Sequence, residues 1–488
     1  MHTFFFKWTP YALFGIWLCG FCGAATCIPL AKRLAIRLDV LSYPGGHSSH
    51  DRPVPLLGGV AMFVPIAVVY LAFLGVVWIS PVRIQNPSMG QMVTLFFGTA
   101  WIVVLGTIDD KIVLGWRKKL LGEVGAVVVL LAGGHSIQTA TIPFVGLVEF
   151  GWLGAPLLAL VVLTITNAVN LIDGIDGLAG GICFFAAMVS GVIGWAKGDM
   201  FSATVAFAIS GAVVAFLCHN FPPASIFMGD GGSLMLGFML AVLASSSSAT
   251  SAGQRSGTLV MVVAPFFPFG IALLDVMLSI IRRSISGRRL FFPDTDHLHH
   301  RLMEKIGRPR AVVIILYAFN LLLSAMTISL ILGPRTHFLT LYVVLSGLVL
   351  LGLAVMVLRL YLREGLPTLL ENRPHFQFLD SFMVFMAKRV RRSSCMEDLV
   401  ALLTSGVRDL DFDSVQVLHQ GRLIAIWMHT HPVHENQTRT QLEKKFVAVD
   451  LVVRWTVPRH DSRSYREYLN QAWDVFLRDI EFRLRELL

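Results

Sequence analysis

Long apolar segments dominate this sequence and constrain its fold more than any other feature. Runs close to the ~20 residues that a helix needs to cross a ~30 Å hydrocarbon core recur over about three quarters of the chain. Of its 488 residues, 55% are hydrophobic and 15% are charged, whereas a soluble protein has about 25% charged residues. Backbone groups in lipid must be satisfied internally, and the alternating pattern of a membrane barrel is absent. The chain is therefore expected to be a polytopic all-α membrane protein.

The hydropathy of the chain predicts about eleven transmembrane helices. Their approximate cores are 11–30, 58–80, 91–108, 120–134, 152–167, 178–196, 201–218, 232–247, 258–281, 311–333 and 338–360. The connecting loops fall into two sets, with about sixteen Lys and Arg in one and about four in the other. The positive-inside rule places the basic set in the cytoplasm, which puts the N-terminus in the periplasm and the C-terminus in the cytoplasm. The net charge of +9 is thus a topology signal, and no nucleic-acid partner is expected.

The composition changes to that of a soluble domain near residue 365. We therefore predict a transmembrane domain over residues 1–364 and a small α+β cytoplasmic domain over residues 365–488, whose role the sequence leaves open. In the second domain the residue pattern predicts strands at Ser414–His419, Arg422–His429 and Lys445–Trp455, and helices at Met396–Leu410 and Ser462–Leu487.

Four polar motifs interrupt the apolar sequence, and all of them fall on the predicted cytoplasmic side. They are Gly106–Lys111, Asn167–Asp176, Asn220–Ser233 and Pro293–Arg301. A single Asp in such a place is often a helix cap or a turn residue, but the topology rests on Lys and Arg alone, so the agreement of four motifs indicates a function. Carboxylates and amide oxygens without cysteine suit Mg²⁺, and nearby glycines and basic residues suit phosphate. The pattern predicts Mg²⁺-dependent handling of a phosphorylated substrate at the cytoplasmic face.

A fifth motif, His50–Gly59 (HDRPVPLLGG), completes an ordered set. With it the chain resembles, over about residues 10–360, the polyprenyl-phosphate N-acetylhexosamine-1-phosphate transferases of glycosyltransferase family 4. The first motif and the HLHHR run are more similar to the branch that initiates O-antigen, enterobacterial common antigen or teichoic-acid linkage units than to the phospho-MurNAc-pentapeptide translocase.

The resemblance implies a reaction in the bacterial inner (cytoplasmic) membrane. A UDP-N-acetylhexosamine, by default UDP-GlcNAc, would give its sugar-1-phosphate to undecaprenyl phosphate and release UMP, which would start an envelope polysaccharide or exopolysaccharide. Membrane lipid would surround the enzyme, and the resemblance is compatible with a homodimer.

The resemblance also implies residue roles. Asp230 would ligate Mg²⁺, or Mn²⁺ in its place, with Asn170 as a second ligand. Asp109 and Asp110 would serve the lipid phosphate, Asp109 orienting and activating the nucleophile. The remaining predicted residues are Asp173 and Asp176 facing the nucleotide, Phe227 stacking on uracil, His297, His299, His300 and Arg301 contacting the diphosphate or sugar, and Lys111, Lys119 and His50 binding substrate.

Two departures and two alternatives accompany this interpretation. His47–His50 lacks the basic pair that relatives often carry, and Glu123 stands where glutamine is expected.

A transporter would also contain intramembrane polar residues and broken helices, but near the midplane and in repeated halves. A non-catalytic membrane scaffold or sensor that displays the C-terminal domain is the second alternative.

Overall fold

The computed structural model describes most of the apolar part of the chain and parts of the C-terminal region. The described residues are 2–43, 52–79, 87–112, 114–142, 146–249, 264–286, 302–303, 306–332, 352, 373–409, 414–419, 422–428, 441–446, 451–456 and isolated positions between 469 and 483. Five predicted site residues lie outside them, namely His50, His297, His299, His300 and Arg301. The chain divides into two compact units, residues 1–277 with 301–355, and residues 278–300 with 356–488.

Helices account for most of the described chain up to Leu332. They are α1 His2–Leu38, α2 Gly58–Ile79, α3 Met89–Ile112, α4 Trp116–Ala132, α5 Gly154–Ile172, α6 Leu178–Lys197, α7 Met200–Asn220, α8 Gly229–Ala249, α9 Gly270–Ser286 and α10 Pro309–Leu332. Two antiparallel pairs of short strands join them, β1 Leu41–Ser42 with β2 Val54–Pro55, and β3 Thr139–Ile142 with β4 Gly146–Glu149.

Eight of the described helices are long and apolar enough to cross a membrane. They are α1, α2, α3, α5, α6, α7, α8 and α10, which confirms the prediction of a multi-pass helical membrane protein. The predicted fourth span forms α4, but its 17 residues fall short of the usual spanning length. The predicted ninth span is described only from Ala264, where a short 3₁₀ helix precedes α9. Of the predicted eleventh span, only residue 352 is described.

Helix α8 lies at the centre of the membrane unit. Within its spanning window 89% of the residues are buried, against 22% in α1 and 28% in α2. It packs mainly against α3 and α5, and also against α2 and α6. Neighbouring helices enclose α8, so packing fixes the position of its N-terminal turn.

Small residues allow the outer helices to approach closely. Gly20 of α1 lies against the carbonyl of Ala208 in α7, and Gly211 of α7 lies against the carbonyl of Trp17 in α1. Close approach through small residues is a common mode of helix association in membranes, where apolar side chains gain nothing over lipid. The reciprocal glycine contacts hold α1 against α7, the second most buried helix.

Besides the end of α9, the described residues of the second unit include two helices and a four-stranded sheet. The elements are α11 Arg373–Arg392, α12 Met396–Asp409, β5 Ser414–His419, β6 Arg422–Met428, β7 Gln441–Phe446 and β8 Leu451–Thr456. The sheet is antiparallel in the order β6-β5-β8-β7. Its core includes Leu403, Val417, Val453 and Trp473, all fully buried.

Three of the five predicted elements of this unit are present, since helix 396–410 forms α12 and the first two strands form β5 and β6. Most of the predicted helix Ser462–Leu487 lies outside the described residues, and the isolated positions described there are helical. The single strand predicted over Lys445–Trp455 is wrong, because the chain forms two strands there, with Phe446 paired to Leu451. The residues between them, 447–450, contain no Gly or Pro, and Asp450 is the only residue there that favours a turn. The domain boundary at residue 365 stays a prediction.

Candidate active site

Helix ends bring three of the polar motifs into one cluster. The C-terminal end of α3 carries Asp109 and Asp110, and the first turn of α4 carries Lys119. Asn170 lies in the last turn of α5, and Asp230 lies in the first turn of α8. Hydrogen bonds among these five residues join segments up to 120 positions apart in sequence, so the cluster is a product of helix packing.

The Lys119 ammonium lies at the centre of the cluster. Its Nζ is 3.0 Å from Asp109 Oδ2 and forms a close ion pair with Asp230 Oδ2. It also donates to the amide oxygen of Asn170 at 3.2 Å. Asp109 is only 7% exposed, whereas Asp230 keeps 29%. One positive charge is thus held between a buried carboxylate and a more accessible one, where attraction is stronger than at a surface.

Asp110 caps helix α8. Its carboxylate oxygens accept hydrogen bonds from the backbone N–H groups of Asp230, at 2.8 Å, and Gly231, at 3.3 Å. The first N–H groups of a helix lack partners within the helix and carry partial positive charge, so a carboxylate stabilises them. Asp110 therefore fixes the backbone from which the Asp230 side chain extends.

Asn170 orients the Asp230 carboxylate from the opposite side. Its Nδ2 donates to Asp230 Oδ1 at 2.8 Å and to Ser233 Oγ at 2.9 Å, while the Ser233 hydroxyl donates to the Gly229 carbonyl at 3.1 Å. Sequence reasoning missed Ser233 as a site residue. The available signal was its spacing of three residues from Asp230, which puts the two on one helix face.

The donor atoms of Asp230 and Asn170 fit a hard divalent cation. They are a carboxylate and an amide oxygen, and Mg²⁺ often takes one or two carboxylates and fills its other positions with water and substrate phosphates. Among the described residues, no group of three or more His, Cys, Asp or Glu could hold a metal ion. A metal site here would therefore rely on water and substrate phosphates for its remaining ligands. The same two oxygens, Asp230 Oδ2 and Asn170 Oδ1, contact Lys119. A cation bound to them must therefore compete with the ammonium group.

The turn between α5 and α6 carries Asp176 and connects the cluster to the α7–α8 loop. The Asp176 carboxylate accepts a hydrogen bond from the backbone N–H of Ala224 at 2.9 Å. Gly177, at φ +80°, adopts a left-handed conformation that favours glycine, and its N–H donates to Asn220 Oδ1 at 2.8 Å. Tyr317 of α10 donates its hydroxyl to the Gly177 carbonyl. The turn is therefore held from two sides.

Asp173 ends α5 and is more closely linked to the cluster than Asp176. Burial raises the pKa of Asp173 well above its usual range, and the negative charges of Asp230, Asp110 and Asp176 raise that pKa further. The two aspartates of the turn thus have different environments. Asp176 binds backbone, whereas Asp173 lies within reach of the charge on Asp230.

A cavity of about 610 Å³ adjoins this turn. Its walls include Asp176, Pro222, Met303, Arg308 and Arg310, and the Nε of Arg310 donates to the Pro222 carbonyl at 2.7 Å. The volume is typical of small-molecule sites. The two arginines, Arg308 and Arg310, precede the tenth predicted span. In the sequence they served only as evidence that this loop is cytoplasmic.

Phe227 and Lys111 complete the described predicted residues. The Phe227 N–H donates to the Pro55 carbonyl at 2.8 Å, and its carbonyl accepts from the Gly58 N–H at 3.0 Å. The described part of the first motif therefore pairs with the segment that leads into Asp230. Lys111 is exposed at the C-terminal end of α3.

Glu123, the departure from the family pattern, lies buried one turn after Lys119. It is 1% exposed, and its Oε2 accepts a hydrogen bond from Asn167 Nδ2. Among the described residues its Oε1 has no hydrogen-bond partner. A glutamine would keep the shape of this side chain and remove the charge behind Lys119.

Two glycines allow the first turn of α8 to enter the cluster. A β-carbon at Gly106 of α3 would overlap the backbone of Asp230 and Gly231, and one at Gly59 of α2 would overlap the backbone of Gly232. Three helices thus meet backbone to backbone beside Asp230, where no side chain would fit.

Replacing Gly106 by alanine is expected to displace α8 and lower turnover about 100-fold, since a misplacement of ~1 Å can have that effect. The measurement is catalytic turnover together with the thermal unfolding temperature. Gly90→Ala is the matched control on the same helix, because the nearest heavy atom to a β-carbon there is 3.8 Å away. Equal activity of the two variants would contradict the importance of this contact.

Comparisons with known proteins agree in pointing to one family. The family model described as Glycosyl transferase family 4 matches residues 92–248, from α3 to α8. A Bacillus subtilis (strain 168) protein named "Probable undecaprenyl-phosphate N-acetylglucosaminyl 1-phosphate transferase" is 30% identical over 317 residues, covering 65% of this chain and 84% of the relative. A Mycobacterium tuberculosis (strain ATCC 25618 / H37Rv) "Decaprenyl-phosphate N-acetylglucosaminephosphotransferase" is 33% identical over 354 residues, covering 67% and 84%. A Halalkalibacterium halodurans "Phospho-N-acetylmuramoyl-pentapeptide-transferase" is 30% identical over 289 residues, covering 56% and 83%.

Proposed function

This chain belongs to glycosyl transferase family 4, and from that premise we propose that it transfers N-acetylhexosamine-1-phosphate, by default GlcNAc-1-phosphate, from a UDP-sugar to undecaprenyl phosphate and releases UMP. The names of the relatives support a polyprenyl-phosphate acceptor. The observation that carries the proposal is the cluster of Lys119, Asp109, Asp230 and Asn170 at one end of a bundle of membrane helices. A transporter would place such charges near the midplane.

The proposed reaction is a phosphoryl transfer at the β-phosphorus of the UDP-sugar. An oxygen of the lipid phosphate forms a bond to that phosphorus, and the bond to the oxygen bridging the two phosphates breaks, so that UMP leaves with the electron pair. A phosphate monoester with a second pKa near 6 is mostly dianionic at neutral pH. The nucleophile therefore needs positioning more than deprotonation, which is typical of this chemistry.

Asp109 suits an orienting role in this scheme. Its Oδ2 faces Lys119 at 3.0 Å, and its Oδ1 accepts from the backbone N–H of Leu114. With both oxygens engaged, the carboxylate fixes the lysine and the end of α3 rather than presenting a free base. Lys119 in turn offers a point charge to phosphate oxygens.

We propose Mg²⁺, or Mn²⁺ in its place, as the cofactor, held by Asp230 and Asn170. Such an ion supplies charge neutralisation of the diphosphate and of the leaving oxygen when bound. Asn170 would keep the Asp230 carboxylate oriented, and Asp110 would keep the α8 backbone in place. Asp173 and Asp176, on the turn beside the cavity, are proposed to face the nucleotide.

The proposed setting is the cytoplasmic face of the bacterial inner membrane. The loop that ends at Lys119 belongs to the basic set, and the cluster lies at the same helix ends. The product would feed an envelope polysaccharide such as O-antigen, common antigen, a teichoic acid or an exopolysaccharide.

Purified full-length protein is expected to release UMP only when undecaprenyl phosphate, UDP-GlcNAc and Mg²⁺ are all present. UMP would be quantified by chromatography, and lipid-linked sugar by mass spectrometry. A panel of other UDP-N-acetylhexosamines would reveal a different preferred sugar. Folded protein that releases no UMP with any donor of the panel would refute the transferase assignment.

A further inference from the structure

Helix α11, in the second unit, has an exposed face with an unusual composition. Phe378 and Phe385 are 54% and 55% exposed, and they lie seven residues apart, which places both on one side of the helix. Phe378 stacks on Phe382 with ring centroids 5.8 Å apart. Single exposed apolar residues are common, but aligned aromatics form a patch that calls for a partner.

The opposite face of α11 already has its partners. Phe376, Leu379, Met386 and Val390 are buried in the core of the second unit. The helix therefore packs on its own domain through these residues and through Phe382, which lies partly buried against the same core, while Phe378 and Phe385 stay exposed. Their placement indicates a second contact surface.

Basic residues follow the exposed phenylalanines at the C-terminal end of the helix. The helix carries five basic residues against one acidic residue, Asp380. At 100° per residue, Lys388, Arg389 and Arg392 fall within about 70° of the direction shared by Phe378 and Phe385, whereas Arg391 falls about 130° away from it. The Arg389 guanidinium lies 5.8 Å from the Phe385 ring centroid. Aromatic side chains beside Lys and Arg are the composition of helices that lie in the headgroup region of a membrane.

We infer that the Phe378–Phe385 face of α11 binds the surface of an anionic bilayer, with the phenylalanines inserted among the lipids and Lys388, Arg389 and Arg392 on the phosphates. Charge complementarity favours this partner, because the cytoplasmic leaflet is negative. The continuity of the chain favours it as well, since the same polypeptide forms the membrane spans and so keeps the local concentration of lipid high. The inference is independent of the proposed transferase activity.

Hydrogen–deuterium exchange of the full-length protein in nanodiscs tests this binding. Exchange within Arg373–Arg392 should be about tenfold slower in phosphatidylcholine with about 30% phosphatidylglycerol than in phosphatidylcholine alone. Strand Leu451–Thr456 serves as an internal reference and should not change. High salt, about 1 M, should remove most of the difference because it screens exposed charges within a few ångströms.

A matched pair of variants separates the proposed face from total charge. Arg389→Gln should lose most of the lipid-dependent slowing, whereas Arg391→Gln, with the same charge change away from this face, should retain it. Phe385→Ser should lose it too, and its sheet should exchange as in the parent protein.

Three results would overturn the inference. They are equal exchange in neutral and anionic nanodiscs, equal protection in nanodiscs and in detergent, which would assign the face to a protein contact, and equal effects of Arg389→Gln and Arg391→Gln.

Discussion

Asp230→Asn is expected to abolish metal-dependent transfer, with UMP release falling about 10³-fold or more. The variant nearly preserves shape but removes the charge on the proposed metal ligand. Metal ions contribute several kcal/mol to such transition states, and each 1.36 kcal/mol is a factor of ten in rate. The asparagine keeps one acceptor oxygen, which can accept from Lys119 or from Asn170, and its NH2 group then faces the other donor. The unfolding temperature therefore has to be measured to establish that the cluster still assembles. UMP release and Mn²⁺ binding, followed by electron paramagnetic resonance, are the measurements.

Asp199→Asn is the matched control for this prediction. Asp199 is the N-cap of α7, with its side chain accepting from the Ser202 N–H at 3.0 Å, and asparagine caps helices about as well as aspartate. Its activity should stay close to that of the parent. If Asp230→Asn retained full Mg²⁺-dependent activity, Asp230 would not be the metal ligand.

Lys119→Met is expected to change metal binding and catalysis in opposite directions. Because the ammonium contacts the two oxygens that would ligate the ion, its removal should tighten Mn²⁺ binding at least about tenfold. Turnover should nevertheless fall about 100-fold or more, since the positive charge proposed to act on the diphosphate is lost. Mn²⁺ titration of the substrate-free protein and UMP release measure the two effects separately.

The control for Lys119 is its neighbour. Lys118 is exposed, and Lys118→Met should leave both metal affinity and turnover nearly unchanged. Asp109 would lose its ion-pair partner in Lys119→Met, so the unfolding temperature must be compared in the presence of Mn²⁺. Weaker Mn²⁺ binding in a folded Lys119→Met protein would show that the lysine supports the site instead of competing for it.

Because Lys and Arg in the loops set the topology, the carboxylates and amides of the motifs were an independent signal, and the sequence allowed the gathering of the motifs to be predicted. Placing Asp109, Asn170 and Asp230 on one side of the membrane was enough to predict a shared site. The family resemblance then assigned a role to each of these residues, which their positions at helix ends could not do.

The contacts of individual side chains depend on distances between helices, which the periodicity of the sequence does not predict. Asp109 and Asp110 are adjacent and chemically identical, yet one faces Lys119 and the other caps α8, because successive side chains of a helix point about 100° apart. The contact of Lys119 with both Asp109 and Asp230 requires the crossing of α4 with its neighbours. The hairpin of β7 and β8 was missed for a different reason, since a single Asp without Gly or Pro is a weak turn signal in an otherwise apolar run.

The backbone contacts at Gly59 and Gly106 matter for anyone who transplants this site. A designer who copied the aspartates, the asparagine and the lysine into another helical bundle would carry over every functional group and still omit what sets their spacing. With any larger residue at those two positions, α8 would stand off by about the width of a methyl group, and a site loosened by ~1 Å is a common reason that designed centres fail. The minimal portable unit therefore includes two residues that contribute no side chain.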